Sequence, residues 1–202
     1  MIAWVEGILR EKAPTRIVVD VSGVGYELAI PLSTFTALPE RGETVSLSVH
    51  THVREDVLQL HGFATVAERD VFHLLLRASR VGPRLAQTVL SGIAAGALVS
   101  AICQGEVKVL RDVPGIGPKM AERMVVELRE AAAELSAAGL GGERAPAPRA
   151  GTDPGEEALS ALLNLGYPRS HAERTVEAAV AEAGEDASIE SVIRAALQRL
   201  GS

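Results

Sequence analysis

Residues 113–123 read Val113-Pro114-Gly115-Ile116-Gly117-Pro118-Lys119-Met120-Ala121-Glu122-Arg123, and their types and spacing suit the holding of an anion. Gly115 and Gly117 flank one apolar residue, which allows a tight turn with bare backbone. A helical pattern begins after Pro118. The free N–H groups and positive dipole end of that helix point out of the turn, where a phosphate fits. Lys119 and Arg123 stand four apart, on one helix face beside that place. This is the helix-hairpin-helix pattern, which grips a nucleic-acid backbone without reading bases. The plainer alternative is an ordinary Gly-rich turn between two helices.

A second copy favours the backbone grip. Val81-Gly82-Pro83-Arg84, followed by Ala86, aligns with Ile116-Gly117-Pro118-Lys119, followed by Ala121, at a constant offset of 35 residues. Arg80 stands where the second copy has Gly115. If that position needs a positive φ, arginine is strained there. Either the first hairpin is distorted, or Arg80 offsets the strain with a charge aimed at phosphate. The expected DNA-binding set is therefore Arg80, Gly82, Arg84, Gly115, Gly117, Lys119 and Arg123. Two such hairpins close together can hold two phosphate runs of one duplex.

The net charge of −6 has the wrong sign for such a partner, but its distribution suits one. Residues 77–123 hold 7 basic groups against 3 acidic ones, so positive charge collects at the hairpins. Residues 1–62 carry net −3 and residues 137–202 net −4, which opposes indiscriminate binding elsewhere. Aromatic residues are only 3% of the chain, too few for stacking along single strands. The lone Cys103 excludes an internal disulfide and a Cys-based metal cluster, and fits a reducing cytoplasm. Glu6, Arg10, Glu11 and Lys12 interrupt any signal peptide. The uncharged stretch between Arg84 and Glu106 includes Gln87, Thr88, Ser91, Gly92, Gly96, Ser100 and Gln104, and is too polar to span a membrane.

The elements that must position the hairpins follow from periodicity. Residues 1–63 predict about five short strands. The segments are Ile2 to Leu9, Ile17 to Val21, Tyr26 to Ile30, Thr44 to His50 and Val57 to His61, and a small closed or nearly closed barrel is their natural solution. From Thr65 the period changes to helical, and residues 64–136 predict an all-α domain carrying both hairpins. Residues 137–155 are rich in Gly, Ala, Pro and Arg and predict a flexible linker. Residues 156–202 predict three short helices in a minimal bundle, a module suited to a protein partner.

Other residues carry less. Arg54-Glu55-Asp56 lies between two strand patterns and by position alone is a solvated hairpin tip. His50 and His52 share one strand face without a convincing third ligand, and His61, His73 and His171 look isolated. No Walker loop, nucleophile elbow or carboxylate cluster is visible, so no catalysis, cofactor or metal is expected. Two rivals stay open. A helix-hairpin-helix nuclease or glycosylase would need more acidic residues than Asp112 alone. An adaptor would use the C-terminal helices and keep the hairpins as structure.

The chain also resembles the RuvA family, the Holliday-junction-binding subunits of the bacterial RuvAB branch-migration machine. The resemblance rests on Met1-Ile2-Ala3, Gly23-Val24-Gly25-Tyr26-Glu27, Val53-Arg54-Glu55-Asp56, Leu60-His61-Gly62-Phe63, the two hairpins with Ala121-Glu122-Arg123, and Ala161-Leu162-Leu163-Asn164-Leu165-Gly166-Tyr167. It implies an α+β multidomain chain: an N-terminal OB-fold-like β-barrel, a central all-α tandem helix-hairpin-helix domain and a C-terminal three-helix bundle. It implies a cytoplasmic homotetramer, one or two of which hold a four-way junction. Glu55 and Asp56 match the family's acidic pin at the crossover. The bundle would contact the ATP-driven RuvB hexamer, with Leu162, Leu165 and Tyr167 as the expected contacts, and the RuvC resolvase would share the junction. Arg80, in place of the usual glycine, and Pro118, at a position often basic, depart from the family pattern.

Overall fold

The computed structural model describes residues 1–55, 57–140, 154–164, 167–183 and 189–200. The chain divides into two compact units, Met1–Arg144 and Ala145–Ser202. In the first, β1 (Trp4–Ala13), β2 (Arg16–Val21), β3 (Val24–Ala29), β4 (Thr44–Val53) and β5 (Leu58–Phe63) close a barrel in the order β1-β2-β3-β5-β4. Every pairing is antiparallel except β3 with β5. The alternating apolar residues point inward: Leu9, Ile17, Val19, Leu28, Leu47 and Val49 are buried. Closure needs strongly coiled strands. Gly7 runs so close to β2 that a Cβ there would lie 2.2 Å from the Asp20 carbonyl oxygen. A bulge between Leu9 and Glu11 carries β1 four residues past the expected Leu9. At the bulge Arg10 pairs with Asp20 at 2.7 Å, and just beyond it Glu11 pairs with Arg16 at 3.0 Å.

A short helix, α1 (Leu32–Ala37), joins β3 to β4; its six residues leave no readable period in the sequence. Five further helices follow: α2 (Val66–Leu76), α3 (Pro83–Gly92), α4 (Ala95–Gln104), α5 (Val107–Arg111) and α6 (Pro118–Ala137). The Thr65 hydroxyl caps α2 by accepting the Glu68 N–H at 3.1 Å. The Glu68 carboxylate accepts the Thr34 hydroxyl at 2.9 Å, the Ala64 N–H at 3.1 Å and the Ser33 hydroxyl. It thereby fastens α2 to α1 and so to the barrel. The uncharged stretch after Arg84 forms α3 and α4, bent by 99°, and Leu90, Leu98 and Ile102 fill the helical core. Among the described residues no single helix is long and apolar enough to cross a membrane.

In the second unit, α7 (Pro154–Asn164), α8 (Arg169–Ala183) and α9 (Ile189–Leu200) enclose a core of Ala158, Leu162, Ala172, Val176, Ala179, Val192 and Ala196. Of the expected linker 137–155, residues 141–153 lie outside the described residues. At its ends, α6 reaches Ala137 and α7 already begins at Pro154.

His61 and His73 are not isolated, contrary to expectation. Register pairs His50 with His61 across β4 and β5, and α2 docks His73 and Phe72 against them. His50 Nδ1 lies 3.0 Å from His73 Nε2. His61 is 1% exposed, with no hydrogen-bond partner on either ring nitrogen. Burial, reinforced by His50 and His52, pushes its pKa down to about 4, and the Gln87 amide opposes the shift only weakly. Burial also lowers His50 and His73, the latter with Arg69 and Arg77 adding and Asp70 opposing. A depressed histidine pKa means that the unfolded chain takes up the proton first. Stability is therefore full above the ordinary value of 6.5 and falls as pH drops from there toward 4. Unfolding free energies from urea titrations at pH 7 and pH 5 should differ by about 1–2 kcal/mol, and His61→Phe should remove part of that difference. An unchanged pH dependence in the variant would assign it to other groups.

Candidate nucleic-acid interface

The two hairpins adopt one backbone course. The turn from α2 to α3 and the turn from α5 to α6 each pass through a left-handed residue, Arg80 at φ 66° and Gly115 at φ 94°. Each is closed by a matched bond, Val81 N–H to Ala78 C=O at 3.2 Å and Ile116 N–H to Val113 C=O at 3.1 Å. Val81 and Ile116 are both buried beneath the turn. Gly82 and Gly117 then take extended N-cap positions, at φ −96° and −85°, with Pro83 and Pro118 opening the helices. The first hairpin is therefore not distorted. Arg80 takes up the left-handed conformation itself.

No side chain caps α3 or α6, so the amides at both N-termini are unclaimed by capping groups. A Cβ built on Gly82 or Gly117 would meet nothing within 4 Å. The chain's own packing thus gives no reason for glycine at either place, and the bare backbone leaves room for close approach from outside. Gly115 differs, because its φ of 94° favours glycine and a Cβ there would sit 3.4 Å from Leu85 Cδ1 of the first hairpin's helix. That contact places the hairpins side by side. Arg80, Arg84 and Lys119 are exposed around them. With uncapped amides, they make a surface complementary to a phosphate backbone.

Arg123 is placed otherwise than expected. Its guanidinium donates to the Ser79 carbonyl at 3.1 Å and lies 3.7 Å from the Glu127 carboxylate, with 35% of the side chain exposed. It is engaged within the protein and does not stand free beside Lys119. Glu127 accepts the Ser79 N–H at 2.7 Å and the Ser79 hydroxyl at 2.9 Å. These two bonds, with Arg123 adding, hold its carboxyl below the usual range. The one trace of this pairing in the sequence is the spacing of four between Arg123 and Glu127.

Comparison with known proteins agrees with this geometry. Residues 1–62 match the model of the RuvA N terminal domain, residues 72–130 that of the SAM-like helix-hairpin-helix tandem, and residues 153–201 that of the RuvA C-terminal domain. The Holliday junction branch migration complex subunit RuvA of Geobacter sulfurreducens is 45% identical over 202 residues, covering 99% of both chains. Its counterpart in Syntrophobacter fumaroxidans is 46% identical over 200 residues, covering 99% of this chain and all of that one. The chain belongs to the RuvA family. A more distant RuvA, from a Shewanella species, is still 41% identical over 208 residues.

Of the two expected pin residues, Glu55 lies at the end of the barrel. Arg54 and Val57 exchange backbone hydrogen bonds at 2.8 and 3.4 Å, which closes the connection between β4 and β5. Glu55 is exposed, and Asp56 lies outside the described residues. Val53 and Leu58, the last pair below the tip, are 64% and 69% exposed. In the second unit Leu162 is fully buried in the bundle core, so its side chain cannot face a partner as expected. Tyr167 is half-buried against the same core, and Leu165 lies outside the described residues.

Proposed function

We propose that this chain binds four-way DNA junctions by shape, independently of base sequence, and recruits a RuvB-type ATPase motor for branch migration in recombination and repair. The observation that carries the reading is the pair of matching hairpins, each with a glycine whose missing side chain leaves space only to the outside. Neither hairpin presents a helix rich in base-reading Asn, Gln or Arg, so phosphate contacts supply the affinity. The chain itself is non-catalytic, the ATPase residing in the partner. As in the relatives named branch migration complex subunits, it acts within an assembly. That assembly is a cytoplasmic homotetramer on one or both faces of the junction, also open to a RuvC-type resolvase. Glu55 and Asp56 repel the phosphates that converge at the crossover and keep it open. The motor contact lies on the second unit around Tyr167 and Leu165, with Leu162 supporting that surface from inside.

A gel shift comparing a four-way junction with linear duplex of the same arm sequences tests the reading. The junction should bind far more tightly, scrambled arms should change little, and labelled strands should remain uncut. Equal affinity for both forms would overturn it.

A further inference from the structure

The hairpins share a backbone but not the residues that make it easy. The second has Pro114-Gly115 before its buried Ile116; the first has Ser79-Arg80 before Val81. Proline fixes φ and has no N–H to satisfy, and glycine enters the left-handed region freely. Serine supplies neither constraint, and arginine at φ 66° is strained. Something outside the first hairpin must hold its turn.

Helix α6 of the second hairpin does so. Both carboxylate oxygens of Glu127 are taken by Ser79, one by its N–H and one by its hydroxyl. Arg123, one turn earlier, takes the Ser79 carbonyl. The residue before the strained Arg80 is thus fixed at its donor, its acceptor and its side chain. We infer that Glu127, with Arg123, is a positioning residue that clasps the first hairpin to the helix of the second, so that both present their backbones to DNA as one rigid surface. The inference rests on the proposed junction binding for its effect on affinity, but not for the clasp itself. It also explains a carboxylate beside a phosphate-binding surface, where electrostatics alone would disfavour it.

That opposition gives a test by sign, made on the full chain. If Glu127 were only an unfavourable charge, Glu127→Ala would tighten junction binding, as Glu122→Gln on the exposed face of the same helix should. The clasp predicts the reverse, a weakening of about tenfold, equivalent to ~1.4 kcal/mol. Glu127→Gln, which keeps one acceptor for Ser79, should recover part of the loss. Ser79→Pro with Arg80→Gly gives the first hairpin the residues of the second, and in that background Glu127→Ala should cost nothing further. Amide exchange at Ser79 without DNA should accelerate in Glu127→Ala while the barrel amides stay protected. Tighter binding by Glu127→Ala, an equal loss in both backgrounds, or an unchanged Ser79 amide would each overturn the clasp. If the native chain fails to prefer junctions, the functional reading falls, and the Ser79 amide still decides the clasp.

Discussion

Gly117→Val is expected to remove most junction affinity while leaving the melting temperature where it was. Besides blocked backbone approach, the sequence alone suggests a second cause, strain in the turn. The structure removes it: Gly117 is extended, at φ −85° and ψ 168°, a region that valine favours, and its Cβ would meet open space. What valine does is keep a phosphate from the amides at the start of α6. Charge-assisted hydrogen bonds are worth ~1.5–3 kcal/mol each, so losing two weakens binding by roughly 10²–10⁴-fold. Gly82→Val should act alike at the first hairpin. Lys119→Ala makes the contrast, removing one cation and leaving the approach open. Its slope of log K against log salt should fall by about 0.9, with a smaller loss of affinity. Titrations over a salt series with parallel thermal melts separate these cases. A lowered melting temperature in Gly117→Val would return the glycine to a structural role, and unchanged affinity would remove this hairpin from the interface.

The hairpins were legible because a repeat shows itself in residue types. The matched prolines open the two helices, Val81 and Ile116 fill the space beneath each turn, and the matched glycines leave each helix start bare. The barrel was legible from its own period, since inward Val45, Leu47 and Val49 alternate with Ser46 and Ser48. Relations across the fold left weaker traces. His50, His61 and His73 meet only through strand register and the docking of α2, neither of which their spacing shows. Arg123 lies on the same helix face as Lys119, but the face does not say that Ser79 stands opposite. Leu162 illustrates a deeper ambiguity. On a short amphipathic helix, a leucine facing its own bundle and one facing a partner have the same spacing. Packing against Val176 and Val192 resolves it toward the core.

Removal of residues 141–202 is expected to leave junction binding intact and to abolish motor-driven branch migration. Each unit is built from its own residues. The barrel and helical cores of the first are complete by Leu140, and the core of the second runs from Ala158 to Leu197. The truncated chain therefore keeps both hairpins, the clasp and the pin, which are all that the junction touches in the proposed reading. The removed part belongs to the acidic end, with net −4 over residues 137–202, so any change in affinity should be a slight tightening at low salt. Migration differs in kind, because it requires the motor to be held at the junction, and the loss should be complete. The fragment 141–202, added in excess to full-length protein, should compete for the motor and slow migration without displacing the junction. Tyr167→Ala in that fragment should relieve the inhibition if the contact surface is as proposed. Leu162→Ala should instead melt the fragment, since deleting a buried leucine side chain costs about 2–5 kcal/mol in a core this small. Normal migration by the truncated chain would place the motor contact on the first unit, and the second would need another role.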